Sequence, residues 1–167
     1  MKKILPYLLI IVLSLPTIWP FLQKGFFWTQ DIIYLTRISA MSGALADGQF
    51  PVRWISVFRY GEPLFNYYAP LPYYFGAIIH SFGFDFISSA KIIFILITLF
   101  SAFFMYLLAK EFWGKIGGIL SAVLYIYTPY RAVDLFIRGS LSEIFAFVWF
   151  PLIFWSAFKY YQTQKIP

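Results

Sequence analysis

The chain has 167 residues, of which 61% are hydrophobic and 24% aromatic, and its mean hydropathy is +0.74. Only 12% are charged, about half the share of a soluble domain, so we expect an integral membrane protein. The sequence has no Cys and one His, which excludes disulfides and Cys- or His-rich zinc sites, while the net charge of +6 has a topological explanation and implies no nucleic-acid partner.

Long apolar segments predict an all-α membrane protein with about four transmembrane helices in one membrane domain over residues 1–167. A span needs roughly 20 apolar residues, and the candidates lie at about 4–22, 89–109, 116–130 and 141–158. The first also has the basic start of a signal peptide. However, Pro16 and Pro20 interrupt it and no small-residue cleavage site follows, which favours an uncleaved helix. Gly117 and Gly118 suit close helix contact, and Pro151 predicts a kink.

Residues 70–84 are apolar but short for a span, and they contain Pro70, Pro72 and the single His, His80. This segment fits a re-entrant or interfacial helix better than a span. His80 is then expected to be an interfacial hydrogen-bonding residue.

The charges give the four spans an orientation. Six Lys and one Glu fall on one side of the predicted membrane, at residues 2–3, 110–115 and 159–165. Seven basic and six acidic residues fall on the other. The positive-inside rule puts the Lys-rich side in the cytoplasm. We therefore expect a multi-pass protein of the cell membrane with both termini cytoplasmic and a large external first loop, residues 23–88.

Residues 30–47 of this loop predict a helix, which Gly48 and Pro51 would end. An apolar stripe recurs at helical spacing in Tyr34, Ile38, Met41 and Leu45, and such a helix can lie flat on the bilayer with the stripe down. Asp31 stands at the start of the helix. There it can cap free N–H groups or serve a functional site, and the sequence leaves both open.

The rest of the first loop combines Arg with aromatic residues, around Arg53 and Arg59. Arg suits bidentate binding of phosphate, and the aromatic rings can stack on sugar faces. The alternative is an aromatic belt with Arg bound to lipid headgroups. The same interfacial interpretation covers four tyrosines, namely Tyr67, Tyr68, Tyr73 and Tyr74.

The second external loop, residues 129–143, reads PYRAVDLFIRGSLSE. Asp134 has helical spacing to both Arg131 and Arg138, which predicts ion pairs. Ser140 and Glu143 fit a capping box at the start of the last span. Alternatively, Arg138 and Glu143 face the first loop and complete one polar site at the membrane edge.

These segments carry a family resemblance that covers nearly the whole chain. The motifs GQFPVRW (48–54), YGEPLFNYYAPLPYY (60–74) and RGSLSE (138–143) resemble the N-terminal part of membrane proteins called 6-pyruvoyl-tetrahydropterin synthase-related. Nothing in the sequence suggests pterin chemistry. That group is similar in layout to the GT-C glycosyltransferases, which move a sugar from a polyprenyl-phosphate donor to an acceptor on the external face.

The resemblance implies roles for individual residues. Asp31 matches the acidic residue of the first external loop that acts as base or binds a divalent metal, Mg²⁺ or Mn²⁺. Glu143 is a further catalytic candidate, with Asp134 beside it. Arg53, Arg59 and Arg138 would hold the donor phosphate. Many GT-C loops open with two adjacent acids, whereas Ile32 follows Asp31 here.

Proteins of this kind have many more spans, so we expect the chain to be truncated relative to full-length relatives. The principal expectation is the N-terminal part of a membrane glycosyltransferase, with membrane lipids and a polyprenyl-phosphate sugar donor as partners. The alternatives are a non-enzymatic assembly or lipid-handling subunit, and an inactive fragment. A transporter is a third class, but the spans contain almost no charges for an ion path.

Overall fold

The fold is all-α, as predicted. The computed structural model describes residues 4–26, 28–57 and 60–164. Its helices are α1 (Leu5–Leu22), α2 (Tyr34–Ala46), α3 (Leu64–Tyr67), α4 (Leu71–Ser81), α5 (Phe86–Ile126), α6 (Pro129–Val133) and α7 (Leu141–Thr163), with a π-helical turn at Asp134–Arg138. An antiparallel β-bridge joins Ile55 to Glu62 in the loop between α2 and α3.

Three helices, α1, α5 and α7, are long and apolar enough to cross a membrane. Each leaves large apolar side chains exposed, such as Leu8, Leu120 and Phe154, which are more than half exposed. Water is a poor solvent for such surfaces, and lipid is a good one. The helices therefore indicate a membrane protein.

The long helix α5 turns back on itself at Gly114, whose φ of 65° and ψ of −169° are not helical. In a straight helix, Tyr106 and Gly118 would lie about 18 Å apart at 1.5 Å per residue. Instead, a Cβ built on Gly118 would lie 2.8 Å from Cδ2 of Tyr106. Two antiparallel limbs follow, residues 86–113 and 115–126, and the reversal lies inside the predicted 110–115 connection.

Replacing Gly114 with alanine should destabilise this hairpin. Its combination of positive φ with ψ near 180° is essentially restricted to glycine, and forcing a side chain into such a region costs about 1–3 kcal/mol. Thermal unfolding in detergent measures the loss. Gly43→Ala is the matched control, since Gly43 is helical with open space around its Cβ position. An alanine at 114 that unfolds at the wild-type temperature would contradict the strained turn.

The two other long apolar helices, α1 and α7, pack against α5. Ile10 of α1 is buried in one cluster with Ala102 and Ala122, one from each limb. At one end of α7, the Lys159 ammonium lies 2.8 Å from a carboxylate oxygen of Glu111. This ion pair therefore joins α5 to α7 on the predicted Lys-rich side of the protein.

Arg131 is fully buried and ties the limbs of α5 together. Its guanidinium donates to the carbonyl of Ile126 over 3.1 Å and to the Thr98 hydroxyl over 2.9 Å. These bonds replace the predicted ion pair with Asp134, which is absent from the ion pairs of the described residues. The expectation was wrong because a last-turn carbonyl of the helix competes for the same donors.

The helix predicted at 30–47 is α2, and its apolar stripe faces the protein rather than the bilayer. Tyr34, Ile38 and Met41 are at most 1% exposed. The Tyr34 ring packs edge-on against Phe94 of α5, and Ile38 lies so close to Gly76 of α4 that a Cβ there would be 2.8 Å away. The flat-lying interpretation was wrong, because helical spacing identifies a buried face without saying what buries it.

The ambiguous segment 70–84 contains the 11-residue helix α4. It packs against α2 and α5, and it is too short to cross a bilayer. His80 makes a local hydrogen bond with the carbonyl of Phe84 over 2.7 Å, in keeping with its expected hydrogen-bonding role.

Candidate functional site

The two predicted external loops meet through their main chains. The amide of Gln30 donates to the carbonyl of Ile137 over 2.9 Å, and the amide of Asp31 donates to the carbonyl of Arg138 over 2.7 Å. Beside this link, Gly139 has a φ of 67° and packs on Thr29 so tightly that a Cβ would lie 2.4 Å from its Oγ1. Residues about a hundred positions apart are thereby brought into one cluster.

The Asp31 carboxylate lies at the centre of the cluster and is 28% exposed. Burial raises its pKa, while Arg37, Arg138 and a hydrogen bond from Tyr68 oppose the rise. The nearest guanidinium nitrogen of Arg37 is 3.7 Å away. Asp31 does not cap α2, since the N-cap residue is Ile33 and no side chain makes a capping bond. The capping interpretation was therefore wrong.

Arg37 connects three elements of the cluster. Its guanidinium donates to the hydroxyl of Tyr73 over 3.3 Å and lies 4.0 Å above the ring of Tyr68. The hydroxyl of Ser142, in the first turn of α7, donates to the same Tyr73 oxygen over 3.4 Å. Arg37 thus links α2, α4 and α7 around Asp31.

Arg138 is shared between two carboxylates. One of its nitrogens lies 2.9 Å from Asp134, which confirms that predicted ion pair, and 2.8 Å from Glu143. The hydroxyl of Tyr130 donates to the other carboxylate oxygen of Glu143. Ser140 is the N-cap residue of α7, but its side chain makes no capping bond, so Glu143 is held mainly by Arg138 and Tyr130.

Asp134 is the most deeply buried acid of the cluster, with no exposed surface. Neither of its carboxylate oxygens accepts a hydrogen bond of good geometry from the described residues. Burial and the neighbouring charge of Glu143 raise the pKa of Asp134 to about 6, although Arg138 and Arg131 oppose the rise. A carboxyl with such a pKa changes protonation close to neutral pH.

The structure brings three of the predicted site residues together, namely Asp31, Arg138 and Glu143. Arg53 is exposed on the first loop, with its guanidinium 3.5 Å from the side-chain oxygen of Asn66. Arg59 lies outside the described residues. Of the two members of the predicted phosphate-binding set that the structure describes, Arg138 lies in the cluster and Arg53 does not.

Sequence reasoning missed Arg37 and Tyr73 as site residues. Tyr73 was assigned to the membrane interface but is fully buried. One signal was available, since Arg37 is one turn beyond Tyr34 at the edge of the apolar stripe, where a charged side chain needs a partner. The partner itself could not be read from the sequence.

The described residues do not form a complete ligand set for a divalent metal. No group of three or more His, Asp or Glu side chains converges among them. Asp31 has the guanidinium of Arg37 beside it and feels the charge of Arg138, and cations repel a further cation. Metal binding at Asp31 therefore stays a prediction of the resemblance.

A wholly apolar cavity of about 240 Å³ lies beside the polar cluster, between α4, α5 and α7. Phe75 lines it two residues after Tyr73, and Phe145 lines it two residues after Glu143. The cavity therefore begins within one helical turn of residues of the polar cluster, on both α4 and α7.

Comparisons with known proteins give one distant relative and no assigned function. No family model matches the chain, and no solved structure matches it. The chain is 25% identical over 169 residues to an uncharacterized protein of Lactococcus lactis subsp. cremoris (strain MG1363), an alignment that covers 95% of this chain and 27% of that protein. The chain thus spans about a quarter of the length of the curated relative that it matches.

Proposed function

We propose that the chain is the N-terminal part of a GT-C-like membrane glycosyltransferase that uses a polyprenyl-phosphate-linked sugar. The observation that carries the proposal is the junction of the two loops, where Asp31 meets Arg138 through a 2.7 Å main-chain bond. A carboxylate with a raised pKa, flanked by guanidiniums, is a suitable base beside a phosphate leaving group. The apolar cavity next to it suits a polyprenyl tail.

In the proposed reaction, the Asp31 carboxylate takes the proton of the acceptor hydroxyl. The acceptor oxygen then forms a bond to the anomeric carbon of the sugar. The bond between that carbon and the phosphate oxygen breaks, and the phosphate leaves with the electron pair. Arg37 positions Asp31 through its 3.7 Å ion pair, and it also brings positive charge to the departing phosphate.

Arg138 and Glu143 have linked roles in this proposal. Arg138 already faces two carboxylates, so its charge is largely balanced before substrate binds. Glu143 would act in catalysis by holding Arg138 in place, and Arg138, with Arg53 and Arg59 from the first loop, would contact the donor phosphate. Mg²⁺ or Mn²⁺ at Asp31 stays a prediction of the resemblance.

The proposal includes a four-span topology in the cell membrane. The first limb of α5 would be one span and the second limb together with α6, residues 115–133, would be the next, with the reversal at Gly114 in the cytoplasm and the polar cluster outside. Support comes from the ends of α7. Lys159 pairs with Glu111 at one end, and the loop cluster lies at the other, about 27 Å away at 1.5 Å per residue.

Sugar transfer by the purified chain in lipid nanodiscs tests the proposal, with radiolabelled polyprenyl-phosphate sugars as donors. Asp31→Asn keeps the shape of the side chain but removes the base, and we expect at least a roughly hundredfold loss, the lower range for a general base. Glu62→Gln is the matched control, because only the main chain of Glu62 pairs with Ile55. Undiminished transfer by Asp31→Asn would sink the assignment of Asp31.

The apolar cavity also favours a second candidate, a non-enzymatic lipid-handling or assembly subunit. It can hold a hydrocarbon chain without any chemistry at Asp31. This candidate predicts co-purified polyprenyl lipid, no transfer by the chain, and no effect of Asp31→Asn on lipid content. If the longer Lactococcus lactis protein transfers sugar and this chain does not, the result would instead favour the interpretation of this chain as an inactive fragment.

A further inference from the structure

The outer face of α2 carries a second cavity, of about 280 Å³, that the proposed reaction does not use. Its floor is made of small residues, Ala40, Gly43 and Ala44, and the loop at 49–57 forms its other wall. We propose that this cavity is a carbohydrate-binding subsite in which the indole of Trp54 stacks on a sugar ring. Asp47 and Gln49 would then bind the hydroxyl groups of that sugar.

The indole of Trp54 is fixed in place, yet half of it stays exposed. Gly61 lies against it so closely that a Cβ would be 2.7 Å from the ring atoms. The neighbouring residues, Ile55 and Glu62, exchange two main-chain hydrogen bonds of 3.0 and 2.9 Å. This arrangement presents a rigid aromatic surface, which loses little freedom when a ligand binds.

The small floor of the cavity leaves room for a ring. Ala40 and Ala44 are buried on α2, and Gly43 between them has no atom within 4 Å of its Cβ position. Any larger side chain at position 43 would therefore project into open space rather than into the protein.

The chemistry of the lining selects a neutral polyhydroxylated ligand. Asp47 offers acceptors, Gln49 offers both a donor and an acceptor, and the serines at 39 and 56 add hydroxyls. Among the described residues, those that line this cavity include Asp47 but no Lys or Arg, which disfavours phosphate, and their polar groups disfavour a hydrocarbon tail. A sugar fits because one face of its ring is apolar and its edge carries hydroxyls.

The position of the cavity along α2 indicates which part of a glycan substrate it would hold. At 1.5 Å per residue, the stretch from Ser39 to Asp47 lies about 8–20 Å along α2 from Tyr34, the first residue of the helix. Asp31 stands just before Tyr34. An acceptor glycan with its reacting end at Asp31 would extend its distal rings toward Trp54. Calling the ligand an acceptor rests on the proposed function, whereas sugar binding at Trp54 does not.

Saturation-transfer difference NMR on the full chain in nanodiscs tests the subsite. The probes are glucose, galactose, mannose, N-acetylglucosamine and their β-linked disaccharides. We expect ring protons of at least one sugar to be saturated. Trp54→Ala should weaken that sugar's binding roughly tenfold, which corresponds to about 1.4 kcal/mol. Gly43→Leu should block binding by filling the cavity, and it serves as a second variant that leaves the indole intact.

Trp113→Ala is the matched control, since Trp113 is 68% exposed beside the reversal of α5. No saturation of any probe by the wild type, or equal saturation in Trp54→Ala and Trp113→Ala, would overturn the subsite. Sugar transfer measured in parallel separates this inference from the proposed function. Trp54-dependent binding without transfer supports the subsite and not the enzyme, whereas transfer with unchanged kinetics in both cavity variants overturns the assignment of the bound sugar as an acceptor.

Discussion

Gly139→Val should separate the two loops that meet at Asp31 and Arg138 and abolish any activity of the cluster. The left-handed φ of 67° disfavours a β-branched residue, and such strain costs about 1–3 kcal/mol. In addition, the new Cβ would lie 2.4 Å from Oγ1 of Thr29, a side chain that is only 1% exposed. Thr29 must move to relieve this contact. Because Asp31 is only two residues from Thr29, the hydrogen bond from the Asp31 amide to the Arg138 carbonyl should be disturbed as well.

Hydrogen exchange at the Asp31 amide is the direct measurement, because that amide donates across the junction. We expect exchange to be accelerated in Gly139→Val. Gly83→Val is a matched control, since Gly83 also has a positive φ, of 95°, but nothing lies within 4 Å of its Cβ position. If both variants lose equal stability and the Asp31 amide stays protected, the Thr29 contact does not hold the loops together.

Arg138→Gln should make the stability of the protein strongly dependent on pH. In the wild type, the pKa of Asp134 is already raised from 3.8 to about 6, so the folded state holds this proton more tightly than the unfolded state. The stabilisation is therefore complete below about pH 4 and is lost as the pH rises through about 6. Removing the Arg138 charge raises the pKa of Asp134 further and extends this loss to higher pH.

Above pH 7 we expect the variant to unfold at a lower temperature than the wild type, because the fully buried Asp134 loses its cationic partner. The loss should be smaller than for a pair whose members are both buried, because Arg138 itself is 41% exposed. Below pH 5 the loss should shrink, since Asp134 takes up a proton. Thermal unfolding in detergent between pH 5 and 8 measures both regimes.

Two further variants test the origin of this effect. Arg53→Gln removes an exposed guanidinium from the first loop and should leave the pH profile unchanged. The double variant with Asp134→Asn should flatten the profile, because the titrating group is gone. A loss in Arg138→Gln that is the same at pH 5 and pH 8 would exclude Asp134 as its source.

The sequence was informative where a local pattern determines a local structure. The apolar runs predicted helices that occur as α1, α5 and α7, and the four-residue spacing of Asp134 and Arg138 predicted their ion pair. The charged stretch at 110–115 predicted a connection, and the chain reverses there at Gly114.

Prediction failed where the partner comes from elsewhere in the chain. The stripe of α2 was recognised, but only the packing shows that α4 and α5 cover it. Arg131 had a plausible partner three residues away, yet it bonds to Thr98, 33 residues away. Likewise, Arg37 and Ser142 meet through Tyr73, and no spacing rule relates these three positions.

The junction of the two loops has a consequence for engineering the protein. Its two bonds, from the amides of Gln30 and Asp31 to the carbonyls of Ile137 and Arg138, use main-chain atoms only. Libraries randomised at these four positions would therefore exchange the functional groups without removing the bonds that join the loops. Proline is the exception at 30 and 31, because it has no N–H to donate. The junction is thus a framework whose main-chain bonds do not depend on which side chains stand at these positions.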